Sequence, residues 1–119
     1  IIYIADCEMP ESELNKIEDF TIKAISERHV EYDFGSYKRG YICAKENNIL
    51  ENYDYLILCN DSVYGPLFSL DSLFDKMKDH KFGGLYRSKD IKIASHYYIG
   101  SFFIIVQKEI FYPIYFQIL

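Results

Sequence analysis

The sequence predicts one α/β domain, in which a mainly parallel sheet packs against helices and gains antiparallel strands late in the chain. Strand-like apolar runs alternate with helix-like patterns over the first part of the sequence, as in layered α/β folds. Three strand-like segments then follow one another, which favours antiparallel pairing. No repeat or low-complexity linker divides the 119 residues, so we expect a single domain.

The chain opens with a strand and a helix. Ile1 to Ala5 is a continuous apolar run, which predicts a strand buried on both faces. From Glu11, after a proline, acidic residues cluster in what would be a first helical turn. The helix is then predicted by apolar residues near the 3.6-residue period, namely Leu14, Ile17, Phe20, Ala24 and Ile25.

A second helix is expected after a short interruption. Residues 29–31 predict a brief strand, and Gly35 is expected to break the chain. Ser36 is the predicted N-cap of a helix that ends near Asn47.

The clearest strand is YDYLILCN, residues 53–60, and it runs into the polar trio Asn60-Asp61-Ser62. A turn at Gly65-Pro66 leads to a third helix, with Ser69 as N-cap. Its apolar positions have i, i+3, i+4, i+7 spacing: Leu70, Leu73, Phe74 and Met77. The late strands are expected in KFGGLY (81–86), IKIASHYYIG (91–100) and SFFIIVQ (101–107).

Composition excludes some classes of function. The net charge is −5, and 13 Lys and Arg are scattered among 18 Asp and Glu, so no basic face for nucleic acid is expected. Aromatic residues make up 18% and suit either a core or a sugar-stacking cleft. Three cysteines without CxxC spacing predict reduced, buried thiols of a cytoplasmic protein. No apolar run reaches about 18 residues, so no membrane span is expected, and the apolar ends predict a piece of a longer chain.

Three carboxylates are candidates for a ligand site. Asp6, Asp33 and Asp61 each follow a strand-like segment, and ligands of open α/β sheets bind beyond the carboxyl ends of strands. We therefore expect all three to face one crevice. Asn60-Asp61-Ser62 offers one carboxylate and two neutral oxygens, which suits a weakly held Mg²⁺ or Mn²⁺. The alternative is a turn in which these side chains accept backbone N–H groups.

Charges in the segment EYDFGSYKRG, residues 31–40, raise a similar choice. Asp33 could cap the second helix or bind a nucleotide. Lys38 and Arg39 fall in the first turn of that predicted helix, where cations oppose the dipole unless they meet an anion. Solvated surface charge is the other interpretation.

The histidines lack metal-ligand spacing. His96, in a strand-like stretch, could act as a base or contact a diphosphate, or could be a hydrogen-bonded structural residue. His29 and His80 are expected on the surface near the ends of elements. No GxSxG, Walker or GxGxxG motif occurs.

Two segments in the right order resemble a known family. YDFGSYKRGY (32–41) precedes the strand that ends in NDSVYGPLF (60–68), and FGGLY (82–86) and HYYIGSFFIIVQKEIF (96–111) follow. Over residues 29–111 the chain looks like the rhamnan synthesis protein F family of bacteria. Those proteins assemble rhamnose-containing cell-wall, capsule and lipopolysaccharide O-antigen chains.

The resemblance implies a fold and a reaction. Such proteins are similar to GT-A glycosyltransferases, whose α/β/α sandwich transfers a hexose from a nucleoside-diphosphate sugar, here dTDP-rhamnose, to a glycan acceptor. It implies donor-binding residues Asp33, Lys38, Asn60, Asp61 and Ser62, with Asp61 as the metal ligand or the contact to the donor ribose, and acceptor-side residues Tyr64 and Ser101. The candidates for a catalytic base are His96, Asp6 and Asp33. It also implies a partner in the membrane-associated polysaccharide machinery at the inner face of the cell membrane.

Two alternatives remain open. A catalytically silent GT-A-fold module for assembly is favoured by the single carboxylate at the motif, and by Phe82-Gly83-Gly84-Leu85 where the family usually has Phe-Trp-Gly-Leu. A receiver-like nucleotide-binding regulator would also have strands that end in acids. It would need a phosphoacceptor Asp followed by Ser or Thr and Lys at later strand ends, and the lysine in SFFIIVQK fits that pattern poorly.

Overall fold

The computed structural model describes residues 1–89 and 97–111. It is a mixed α/β structure with parallel and antiparallel sheets, as the sequence predicts. The described chain divides into two compact units, residues 1–51 and the residues from Asn52 onward. A short 3₁₀ helix, Leu50–Asn52, lies at the boundary. The expected single domain requires these two units to associate, and that association stays a prediction.

The first unit is built on two parallel strands. β1 (Ile2–Ala5) pairs in register with β2 (Lys23–Ser26), so that Ile2 lies opposite Lys23. The crossover between them holds α1 (Glu11–Leu14), which continues as a 3₁₀ helix over Asn15–Phe20. Parallel strands require such a crossover because the chain must return to the same end of the sheet.

The predicted first helix is right at its start and wrong at its end. It begins at Glu11, but Ala24 and Ile25 lie in β2, where their backbone pairs with β1. The spacing of these apolar residues fits a helix, but their backbone hydrogen bonds to β1 place them in a strand. The prediction that β1 is buried on both faces is also wrong, because Tyr3 is exposed.

α2 (Tyr32–Glu46) packs against β1 and buries a face that includes Tyr37. It ends at the predicted place, where the Asn47 side-chain amide donates to the Cys43 carbonyl at 2.8 Å. Its start differs from the prediction, because Gly35 and Ser36 lie inside the helix. The strand expected at residues 29–31 is a loop.

The second unit contains five strands among its described residues. They are β3 (Tyr55–Cys59), β4 (Phe82–Gly84), β5 (Arg87–Lys89), β6 (Tyr97–Ile99) and β7 (Phe103–Gln107). β7 lies between β3 and β4 and is antiparallel to both, and β5 pairs antiparallel with β6. In the described chain the β1–β2 pair is the parallel one, so the expectation of a mainly parallel sheet is wrong.

The core of the second unit is centred on β7. Ile104, Ile105 and Val106 are buried, as a central strand with both faces covered requires. α3 (Asp71–Met77) is tied to this strand, because the Gln107 side-chain amide donates to the Met77 carbonyl at 2.7 Å.

Two short helices complete the described part of this unit. Ser69 Oγ accepts the Asp71 N–H at 3.1 Å, so the predicted capping contact of α3 is present, although Leu70 is the formal N-cap. α4 (Lys108–Phe111) follows β7 directly and buries Phe111.

The cysteines are reduced but are not all buried. Cys43 is buried as predicted, whereas Cys7 and Cys59 are exposed, which contradicts the prediction for those two. Within residues 1–89 and 97–111 no helix has both the length and the apolar character that a membrane crossing demands.

Candidate functional site

β3 ends in a turn built by Asn60. The Asn60 backbone N–H donates to the Phe102 carbonyl at 3.3 Å, which extends the β3–β7 ladder by one residue. The Asn60 side-chain oxygen accepts the Ser62 N–H at 3.0 Å, as in an Asx turn. The turn predicted as the alternative interpretation is therefore present, and Asn60 Oδ1 takes part in it.

Asp61 occupies the middle of this turn with an exposed side chain. The described residues contain no group of three or more His, Cys, Asp or Glu that could hold a metal ion. Within the turn Asp61 supplies the one carboxylate, between the side-chain oxygens of Asn60 and Ser62. A set of this kind fits a weakly held Mg²⁺ or Mn²⁺ whose remaining ligands come from water and substrate oxygens.

Three segments meet at one edge of the β3–β7–β4 sheet, which we call the polar edge. β3 and β4 run in the same direction on either side of β7, so their carboxyl ends lie together although the sheet is antiparallel. The segments are Asn60–Ser62 after β3, Leu85–Tyr86 after β4 and Ser101–Phe102 before β7. The structure therefore brings the donor-binding candidates of this unit and Ser101 to the same edge.

Aromatic side chains accompany the polar ones at this edge. The rings of Tyr86 and Phe102 lie 6.2 Å apart with a 38° tilt, and Tyr86 is half exposed. This pair of rings was not predicted from the sequence. The sequence does contain a signal for the pair, because Tyr86 follows the glycine-containing strand β4 and Phe102 precedes β7.

The loop from Asn60 to Leu70 is unusually apolar for an exposed segment. Tyr64, an acceptor-side candidate, is fully exposed, and Leu67 and Phe68 are 83% and 85% exposed. Exposed aromatic rings next to amide, hydroxyl and carboxyl groups suit the faces and hydroxyls of a sugar.

Asp33 and Lys38 belong to the first unit. Asp33 is the second residue of α2, where a carboxylate complements the helix dipole. Lys38 is exposed on the second turn, because the helix begins at Tyr32 rather than after Ser36. The argument that Lys38 and Arg39 oppose the dipole in a first turn is therefore wrong.

Arg39 is held by carboxylates. Its Nε lies 2.8 Å from Glu27 Oε1, and its Nη1 lies 2.7 Å from Glu31 Oε2. The hydrogen bond and the charge of Arg39 lower the pKa of Glu31, and the two carboxylates raise the pKa of Arg39. Arg39 thus ties α2 to the loop between β2 and α2.

Asp6 shapes the loop between β2 and α2. Its carboxylate accepts the backbone N–H of His29 at 2.7 Å and that of Val30 at 2.9 Å. These hydrogen bonds, first from Val30 and then from His29, lower the pKa of Asp6. A carboxylate with a lowered pKa is a weaker proton acceptor, so this environment opposes the use of Asp6 as a general base.

The histidine predictions have three outcomes. His96 lies outside the described residues. His80 is exposed as predicted. His29 is not a surface residue, because its side chain is only 1% exposed. No periodic pattern indicates this burial, because His29 lies in a loop.

The fold and the polar edge define a mixed α/β protein whose sheet presents an acid, an amide and aromatic rings on one side. A family model described as rhamnan synthesis protein F matches residues 1–119. The chain belongs to the rhamnan synthesis protein F family, as its motifs predict. The description of that family refers to rhamnan synthesis.

A curated relative extends this comparison. Over 105 residues the chain is 21% identical to the uncharacterized protein y4gN of Sinorhizobium fredii (strain NBRC 101917 / NGR234). The match covers 87% of this chain and 27% of that protein, so the chain spans about a quarter of the length of its relative. No solved structure matches the chain.

Proposed function

We propose that this chain is a glycosyltransferase domain of GT-A type that transfers a sugar from a nucleoside-diphosphate donor to a bacterial surface polysaccharide. The observation that carries the proposal is the exposed Asp61 carboxylate at the polar edge, in a family associated with rhamnan synthesis. Rhamnose, carried by dTDP, is the proposed donor sugar, and a growing glycan is the proposed acceptor.

The reaction requires the protein to supply a base and to stabilise the leaving diphosphate. An acceptor hydroxyl oxygen attacks the anomeric carbon, the bond from that carbon to the diphosphate oxygen breaks, and the hydroxyl proton leaves to a base. Negative charge grows on the leaving diphosphate, so positive charge or N–H donors must face it. A divalent cation bound by Asp61, with Asn60 and Ser62, would supply that charge.

Other residues have proposed roles in the same reaction. Asp33 contacts the nucleotide base or ribose, and Lys38 approaches the diphosphate. Tyr64 and Ser101 face the acceptor, where the exposed ring of Tyr64 suits a sugar face. His96 remains the candidate base. We place the reaction in the cytoplasm at the inner face of the membrane, beside the polysaccharide assembly machinery.

Calorimetric titration of dTDP, UDP and GDP into the full chain, with and without Mn²⁺, tests the donor site. We expect metal-dependent binding of one nucleotide, lost in Asp61→Ala. Asp79→Ala, which removes another exposed carboxylate of the same unit, is the matched control and should bind normally. Binding that is indifferent to Asp61, or equal loss in both variants, would refute the assignment of this turn.

The second candidate is a catalytically silent module of the same fold. The composition of the turn after β3 favours it, because Asp61 is flanked there by an amide and a hydroxyl and not by a second acid. A folded chain that binds no nucleotide, yet binds a protein of the polysaccharide machinery, would support this alternative.

A further inference from the structure

The side chain of His29 is buried at the meeting point of three segments of the first unit, whereas the residue as a whole is only partly buried. Its Nε2 lies 3.0 Å from Ser36 Oγ on α2, and its Nδ1 accepts the Glu31 backbone N–H at 3.1 Å. Nδ1 also lies 3.6 Å from Asp6 Oδ2, beyond the end of β1. One imidazole therefore joins the first strand, the loop before α2 and the first turns of that helix.

These partners fix the tautomer of neutral His29. A backbone N–H can only donate, so Nδ1 must be the unprotonated nitrogen that accepts from Glu31. Nε2 then carries the hydrogen and donates it to Ser36 Oγ. This arrangement differs from a Ser-His-Asp triad, in which Nδ1–H faces the carboxylate and Nε2 accepts from the serine.

We propose that His29 is a pH-responsive positioning residue for the loop that starts α2. When Nδ1 takes a proton from solvent, it can no longer accept the Glu31 N–H. The Nδ1–H and the Glu31 N–H are then two donors that face each other without an acceptor. The new Nδ1–H turns to Asp6 Oδ2, the charged acceptor next to it. The Glu31 amide is released, and the entry of the chain into α2 loosens.

The surrounding charges allow this exchange. The Asp6 carboxylate lies next to Nδ1, and its pKa is lowered because it accepts backbone N–H groups, so it is the charged acceptor that the new Nδ1–H meets. Glu31 is itself paired with Arg39, which limits its attraction for the imidazolium. The charged groups around His29 on its neighbouring segments are Asp6, Glu27, Arg28, Glu31, Lys38 and Arg39.

The consequence for ligand binding rests on the proposed function. Asp33, the proposed nucleotide contact, lies two residues after Glu31 in the first turn of α2. If that turn loosens, nucleotide affinity falls at acidic pH even though Asp33 itself is unchanged. His29 would thus act through the loop and not by touching the donor.

NMR of the full wild-type chain tests the switch without any ligand. At pH 7.5 we expect Nδ1 of His29 to resonate as an unprotonated nitrogen and Nε2 as a protonated one. As the pH is lowered from 7.5, the Glu31 amide signal should shift together with the signals of the His29 ring. The opposite tautomer, or a Glu31 amide indifferent to the ring, would overturn the proposal.

Two variants separate titration from packing. His29→Gln keeps one acceptor and a donor but cannot take the proton, whereas His80→Gln removes an exposed histidine of the other unit. In wild type and His80→Gln, amide exchange at residues 31–35 should accelerate from pH 7.5 to 5.5 beyond its intrinsic pH dependence. The loss of one hydrogen bond corresponds to an acceleration of about fivefold. In His29→Gln the exchange should not accelerate in this way.

The outcomes distinguish this inference from the proposed function. If the Glu31 amide of the wild-type chain responds to pH together with His29 but the chain binds no nucleotide, the switch is supported and the proposed donor site is refuted. Metal-dependent nucleotide binding with no pH response of the Glu31 amide would support the donor site and overturn the switch. If His29→Gln fails to fold, the wild-type titration alone decides.

Discussion

Glu31 packs directly onto Gly35, so that a β-carbon at Gly35 would overlap the β-carbon of Glu31. The same β-carbon would lie 2.9 Å from Glu31 Oε2 and 3.0 Å from Cε1 of His29. Gly35 is thus a helical glycine kept by close approach of the preceding loop. This contact explains why a residue that indicated a chain break lies inside α2.

Substitution of this glycine should destabilise the protein. Gly35→Ala forces the loop before α2 away from the helix, and we expect a loss of about 1–3 kcal/mol in the free energy of unfolding. Gly40→Ala is the matched control on the same helix, because its β-carbon would lie 3.5 Å from Ile4 Cγ1, an ordinary contact. Alanine there should stabilise by about 0.5–1 kcal/mol.

Urea unfolding followed by circular dichroism measures both changes. The prediction for Gly35 fails if the two variants shift the unfolding midpoint in the same direction.

The carboxylate of Asp6 should make stability depend on pH. Its pKa is lowered in the folded state by the N–H groups of Val30 and His29, so its contribution is present above the unfolded pKa, for which 3.8 is the reference. That contribution is lost as the pH falls through the lower, folded pKa. We expect Asp6→Asn to be less stable than wild type at pH 6 and the gap to close below about pH 4.

Unfolding midpoints measured from pH 6 to pH 3 test this dependence. Asp61→Asn, which removes an exposed carboxylate from the turn after β3, is the control and should leave the pH dependence near that of wild type. A gap between Asp6→Asn and wild type that stays constant across this range would show that Asp6 does not act through its charge.

Two isoleucines paired across β3 and β7 should differ in importance. Ile105 is 0% exposed and Ile57, directly opposite, is 39% exposed. Ile105→Ala leaves a cavity in the core of the second unit and should cost about 2–5 kcal/mol. Ile57→Ala removes the same atoms from a partly hydrated site, so about 1 kcal/mol or less is expected.

The comparison is made by urea denaturation of both variants in one buffer. Equal losses would mean that Ile57 is covered in solution, or that β7 is not the central strand of this sheet.

Much of the local structure could be predicted from short patterns. The runs that became β1, β3 and β7 are apolar enough to predict strands without any partner, and the apolar spacing around Met77 predicts α3. The motif NDSVYGPLF likewise pointed to the family. At the candidate site, the turn at Asn60 and the exposure of Asp61 follow from turn chemistry, which acts over two or three residues.

Other features depend on residues far apart in the sequence. Ala24 fits a helical period but lies in β2, because β1 offers an unpaired ladder of backbone groups beside it. The burial of His29 depends on Asp6 from the first strand and on Ser36 from α2. No local pattern contains that information.

By itself the sequence determined the positions of the principal strands, the end of α2, the polar turn after β3 and the family. Tertiary structure decided the antiparallel order of β3, β7 and β4, the burial of His29 and the pairing of Tyr86 with Phe102. The physical reason is that propensity and capping act within a few residues of the chain. Strand partners and buried polar contacts, by contrast, are selected by the free energy of packing and hydrogen bonding between distant segments.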